Sequence, residues 1–210
     1  MVELIKLALG PLTLFTQFNS GQCTGIYYVD SSALPVCLLR RQKRHKTFET
    51  VAKFGKTSMG WFFGLKLHLV INDKGQMIAF KITRGSRNDA VEACSMLKVL
   101  EGLAFGDKGY LGKKIFEELL AGGLKLITRK RKNMTQDKLS QYEQQLLDQR
   151  NLIETVFNHL KHHYQVWHTR HRSIINAMTH LIAALAAYVI EPLKLSAIKL
   201  LSKQSIMIQK

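Results

Sequence analysis

Glu154 lies in residues 150–161, a stretch without Gly or Pro in which Ile153, Val156, Phe157 and Leu160 recur at i, i+3, i+4 and i+7. That spacing predicts a helix with one buried face. At about 100° per residue, Arg150, Glu154 and Lys161 fall on one narrow stripe, so a single carboxylate stands between two cations. An ordinary i, i+4 surface pair would give the same pattern and contribute only a few tenths of a kcal/mol. Two further acids change the reading, because each closes an apolar, strand-like run: Asp30 after Ile26-Tyr27-Tyr28-Val29, and Asp107 after Leu103-Ala104-Phe105-Gly106. Taken singly, Asp30 reads as a turn or capping residue and Asp107 as a D-x-G turn. Taken together, three converging carboxylates would repel one another and protonate unless cations compensate. Oxygen-only ligands suit Mg²⁺ or Mn²⁺, and two such ions about 4 Å apart can activate a nucleophile and neutralise a leaving oxygen in phosphodiester displacement. Arg150 and Lys161 would then hold phosphate oxygens and orient Glu154.

For the acids to meet, the strands ending at Asp30 and Asp107 must be neighbours in one sheet, with the Glu154 helix packed across it. The remaining pattern supplies such a frame. Residues 61–71 and 77–83 read as strands joined by a turn at Asn72-Asp73-Lys74-Gly75, which makes Asp73 a turn residue. Asn88 or Asp89 caps a helix over 90–100, a second helix covers 111–121 and stops at Gly122-Gly123, and residues 124–128 form the last strand. Residues 133–149 are polar and partly helical, and the Ala-rich stretch 174–190, ending before Pro192, is a helix packed under the sheet. The expected fold is α/β, with a mixed sheet of about five strands flanked by helices.

With 31 Lys and Arg against 15 Asp and Glu, the 210-residue chain carries a formal charge of +16, which calls for a polyanionic partner. Double-stranded DNA is the first candidate and an anionic membrane surface the second. Residues 40–56 hold seven cations and one acid, including Arg40, Arg41, Lys43, Arg44 and Lys46, and suit a mobile loop lying on phosphates. Arg129, Lys130, Arg131 and Lys132 form a second cluster directly after the last strand. A third follows the Glu154 helix, where Trp167, Arg170 and Arg172 stand among histidines on a surface fit to contact backbone or stack on bases. His159 and His163 lack a third ligand at zinc spacing. Cys23, Cys37 and Cys94 form neither a disulfide framework nor a zinc cluster. The longest apolar stretch, residues 181–190, is too short to span a bilayer, and no signal peptide is visible, so the expected location is the cytoplasm.

These pieces together resemble the DDE transposases of prokaryotic insertion sequences, whose catalytic core has the ribonuclease H-like fold. The resemblance is carried by Tyr28-Val29-Asp30-Ser31, by Gly106-Asp107-Lys108-Gly109-Tyr110, and most specifically by Arg150-x3-Glu154-x6-Lys161, with residues 59–68 similar to the family's second strand. It implies two metal ions, with Asp30 shared by both and Asp107 and Glu154 holding one each. It also implies DNA element ends and target as substrate, a homodimer assembled on DNA, and a nucleoid-associated location in a prokaryotic cell. Two departures stand out. Leu147 occupies the place where many relatives carry a Tyr three residues before the Arg, and only 29 residues precede Asp30 where relatives carry a helical end-binding region. The resulting division is a remnant of an upstream region over 1–22, a catalytic domain over 23–192, and a basic tail over 193–210. The function implied is metal-dependent cleavage followed by strand transfer. A nuclease of the same fold without strand transfer, and an inactive DNA-binding remnant, are the alternatives.

Overall fold

A computed structural model describes residues 2–107, 110, 112–129, 139–167, 171–192 and 194. Six strands form one sheet in the order β2-β3-β1-β5-β6, with β4 also paired to β3. They are β1 (Ile26–Cys37), β2 (Lys53–Thr57), β3 (Gly60–Asn72), β4 (Met77–Arg84), β5 (Gly102–Gly106) and β6 (Leu124–Thr128). The meander is antiparallel, β1 to β3 and β3 to β2 and β4, whereas β5 and β6 run parallel to β1. The turn between β3 and β4 is held as its sequence requires. Asn72 Oδ1 accepts the amides of Lys74 and Gln76 at 3.0 and 2.9 Å, and Gly75 takes a positive φ of 72°.

Helices cover both faces. α2 (Asp89–Leu97) and α3 (Lys113–Ala121) lie on one side, over Tyr27, Val29, Val70, Ala104 and Leu126. The other side carries α4 (Gln141–Asp148), α5 (Asn151–His162) and α6 (Ile174–Ile190), over Tyr28, Leu67, Leu69, Phe105 and Ile127. Asn88 caps α2 by accepting the Ala90 amide at 2.9 Å, and Ser140 with Glu143 forms a capping box on α4. The residues that predict α5, Ile153, Val156, Phe157 and Leu160, are all buried. A 3-10 helix over Val2–Ala8 leads into α1 (Leu9–Phe18), whose Leu9 and Leu12 pack against the α5–α6 side. Pro11 falls in the first turn of α1, where no intrahelical amide is lost. Among the described residues no helix is long and apolar enough to cross a membrane. The arrangement is a ribonuclease H-like mixed sheet flanked by helices.

Two features differ from the sequence reading. Asp30 does not end its strand, since β1 continues to Cys37 because β3 pairs with it from Tyr27 through Cys37. The basic stretch after β1 is not a continuous loop. Residues Leu39–Arg44 form a 3-10 helix, and Lys53–Thr57 is the strand β2, paired with Gly60–Gly64 of β3. Lys53 and Lys56, with Phe54 between them, suit an edge strand as well as they suit a loop.

Candidate active site

Asp30 stands where β1 leaves its parallel neighbour. Pairing with β5 couples Ile26, Tyr27 and Tyr28 to Leu103, Ala104 and Phe105, and beyond Tyr28 only β3 continues alongside. Carried two residues on, the register sets Asp107, the first residue past β5, level with Asp30. Side chains two apart share a face of a strand, so Asp30 projects with Tyr28 toward the side on which α5 packs. The turn after β5 is tight. Tyr110 donates its amide to the Asp107 carbonyl at 3.0 Å, and its ring lies so close that a Cβ on Gly106 would meet it at 3.1 Å. Tyr110 is also buried in the cluster that holds Tyr27 and Val29, which ties the Asp107 turn to β1 on the opposite face.

α5 brings the third acid and both cations. Glu154 lies in its first turn, where the helix dipole favours a carboxylate, and its side chain is half exposed. Arg150, at the N-cap, reaches Glu154 Oε1 at 2.6 Å and Asp30 Oδ2 at 3.6 Å. Its side chain is only 16% exposed, so Arg150 is a partly buried bridge between two acids rather than half of an ordinary surface pair. Lys161 feels the Asp30 charge and is pulled below its ordinary pKa chiefly by burial. Its ammonium lies 4.4 Å from the Trp167 ring centre and 5.8 Å from that of Phe157. Trp167 is in turn held by its Nε1, which donates to the Ala33 carbonyl at 3.1 Å.

Burial raises the Asp30 carboxyl to about 6, against Ser31, whose amide donates to Oδ1 at 2.8 Å, and against Arg150, which both lower it. Asp107 and Glu154 push in the same direction as burial, so both other acids are felt at Asp30. Among the described residues, however, no three of Asp, Glu, His or Cys are drawn together as a ready-made ligand cluster. The donor set fits a hard divalent cation: all oxygen, with one partly buried carboxylate among the three.

A raised folded pKa means that Asp30 contributes stability which is complete below its ordinary 3.8 and lost as pH rises through about 6. Asp30→Asn should therefore raise the melting temperature in EDTA at pH 8. The two units between these values cap the gain at roughly 3 kcal/mol, and it should vanish toward pH 4. Calorimetric melting across pH 4–8 checks this, and a gain independent of pH would contradict it.

The other expected residues are dispersed. Arg40, Arg41, Lys43, Arg44 and Lys46 are exposed on or just after the 3-10 helix, Arg129 pairs with Asp148 at 2.7 Å, and Arg172 is exposed. Lys130, Arg131, Lys132 and Arg170 lie outside the described residues, as does all of the 193–210 tail except Lys194. His159 and His163 stack on each other, and His159 Nε2 meets Glu191 at 2.9 Å. Leu147 is core, 3% exposed. Asp73 accepts from Thr24 at the hairpin turn.

Sequence reasoning missed the polar layer on the back of the site. Lys66, only 6% exposed, holds Asp89 at 2.9 Å, and His68, 1% exposed, meets Thr83 Oγ1 at 2.8 Å and is kept toward its neutral form by burial. The signal was present, since Lys66 and His68 interrupt the apolar β3 two residues apart and so share its α2 face.

A ribonuclease H-like sheet that sets Asp30, within β1, level with Asp107 just past the end of β5, with a helix laying Arg and Glu across them, defines the class. Residues 20–174 match the transposase DDE domain, and the chain belongs to that family. No curated protein matches the chain.

Proposed function

We propose that the chain is a transposase catalytic domain that cuts DNA at an element end to free a 3′-OH and then joins that hydroxyl to a target phosphodiester. The observation that carries this reading is the Arg150 bridge between Asp30 and Glu154, beside an Asp107 level with Asp30. Asp30, Asp107 and Glu154 would hold two divalent ions, Mg²⁺ or Mn²⁺. When bound, these supply activation of the attacking oxygen and neutralisation of the leaving one. Arg150 orients both carboxylates, and as a planar fork it can turn to grip a phosphate oxygen pair. Lys161, seated on the Trp167 ring, offers a point charge on the same surface. Arg40, Arg41, Lys43, Arg44 and Lys46, with Arg129, Lys130, Arg131 and Lys132 and with Arg170 and Arg172, carry the flanking duplex, and two copies of the chain assemble on the DNA.

Supercoiled plasmid with Mg²⁺ and a labelled oligonucleotide tests the reading. Nicking together with covalent capture of the label supports it. Nicking without capture would mark a nuclease of the same fold, and binding without nicking an inactive DNA-binding remnant.

Arg150 also yields a graded prediction. Arg150→Ala should cost more stability than the roughly 1 kcal/mol of an exposed pair, because it leaves Asp30 buried beside two acids. Arg150→Lys should keep most of that stability yet cleave more slowly, since an ammonium keeps the charge but lacks the planar fork that grips a phosphate oxygen pair. Urea melts and nicking rates for the two variants check this, and an Arg150→Lys protein with wild-type cleavage would contradict it.

A further inference from the structure

The β2–β3 hairpin carries an exposed aromatic and basic surface that the site does not use. Met59 at its tip is 95% exposed, Trp61 61% and Phe54 46%. Lys56 pairs across the ribbon with Trp61, its ammonium 5.7 Å from the ring centre. Phe62 points the other way and is buried against Gly55 and Gly85, which fixes which side of the ribbon faces outward. Solvent alone does not favour so much apolar surface on one hairpin. The charge says what does: residues 40–56, which reach through Lys56 of β2, hold seven cations against one acid.

Register gives the direction. Asp30 pairs with Leu69 on β3, and Trp61 lies eight residues earlier on the same strand, an even spacing that puts both on one face. At about 3.3 Å per residue the separation is roughly 26 Å, or about eight base pairs of duplex at 3.4 Å each. A strand lying over the acids would therefore reach the hairpin. We infer that the β2–β3 hairpin is a second DNA-binding element, in which Trp61, backed by Met59 and Phe54, stacks on unpaired or unstacked bases about eight nucleotides from the scissile phosphate while Lys56 neutralises a backbone phosphate. The inference rests on the DNA-cutting reading for its distance, but not for its binding chemistry. Aromatic stacking of this kind tolerates any base and is strongest on single strands.

The test uses the full chain carrying Trp167→Phe, which leaves Trp61 as its sole tryptophan. A 30-nucleotide single strand should quench Trp61 fluorescence strongly and the matching duplex less. Trp61→Ala should weaken single-strand binding about tenfold or more with an unchanged melting temperature, and Trp61→Phe should restore most of it. Lys56→Gln should lower the log–log salt slope by about one. Unquenched fluorescence, or a Trp61→Ala protein that binds single strand like wild type, overturns the proposal. So does sedimentation showing that Trp61→Ala separates a dimer while DNA affinity per chain is unchanged, because the ribbon would then be a contact between copies. Nicking, measured on chains that keep Trp167, holds the two readings apart. Quenching without nicking sustains the hairpin and sinks the catalytic reading, while nicking with unaffected Trp61→Ala binding does the reverse.

Discussion

Asp107→Asn should lower Mg²⁺-dependent DNA cleavage by about a thousandfold or more while leaving DNA affinity unchanged or slightly tighter. Metal stabilisation of transition-state charge amounts to several kcal/mol, and each tenfold in rate corresponds to about 1.4 kcal/mol. Asp107 is exposed and lies just past β5, so the amide should fold normally. The change removes one negative charge from a face on which Asp30 and Glu154 also repel a phosphate, which is why binding should not fall. Cleavage and gel-shift assays on the same preparation separate the two effects. An Asn variant that cuts at the wild-type rate would move the chemistry elsewhere.

The second large effect is that of salt. Each phosphate neutralised contributes about −0.9 to the slope of log affinity against log salt, so about six contacts lose on the order of a thousandfold between 50 and 200 mM. The exposed Arg40, Arg41, Lys43, Arg44 and Lys46 can supply several of these. Neutralising that cluster should flatten the slope without altering sequence preference. No helix-turn-helix able to read base edges is seen among the described residues. An inverted-repeat end should therefore be preferred over scrambled DNA of equal length by less than about a hundredfold at 150 mM salt. A larger preference would mean that these 210 residues already read the element end.

Much of this was legible in the residues, and for physical reasons. The apolar period of α5 and the asparagine and glycine of the β3–β4 turn are local signals, and the structure follows them closely. Asp30 and Asp107 could be found because apolar runs precede them, but their mutual level could not, since it depends on a parallel register between strands some 75 residues apart in sequence. The length of β1 past Asp30 was hidden because Ser31, Ser32 and Pro35 are poor strand formers alone and are held by β3. β2 was hidden for a similar reason: Lys53 and Lys56 read as solvated charge until β3 pairs with them. Arg150 looked like half of a surface pair because its second partner, Asp30, comes from a strand 120 residues away.

Mn²⁺ binding followed by electron paramagnetic resonance, with no DNA and no turnover, asks most directly whether the three acids form one metal site. Binding should weaken at least tenfold in Asp30→Asn, Asp107→Asn and Glu154→Gln alike, and should be unchanged in the turn variant Asp73→Asn. Wild-type Mn²⁺ affinity in either Asp107→Asn or Glu154→Gln would contradict a site built from all three.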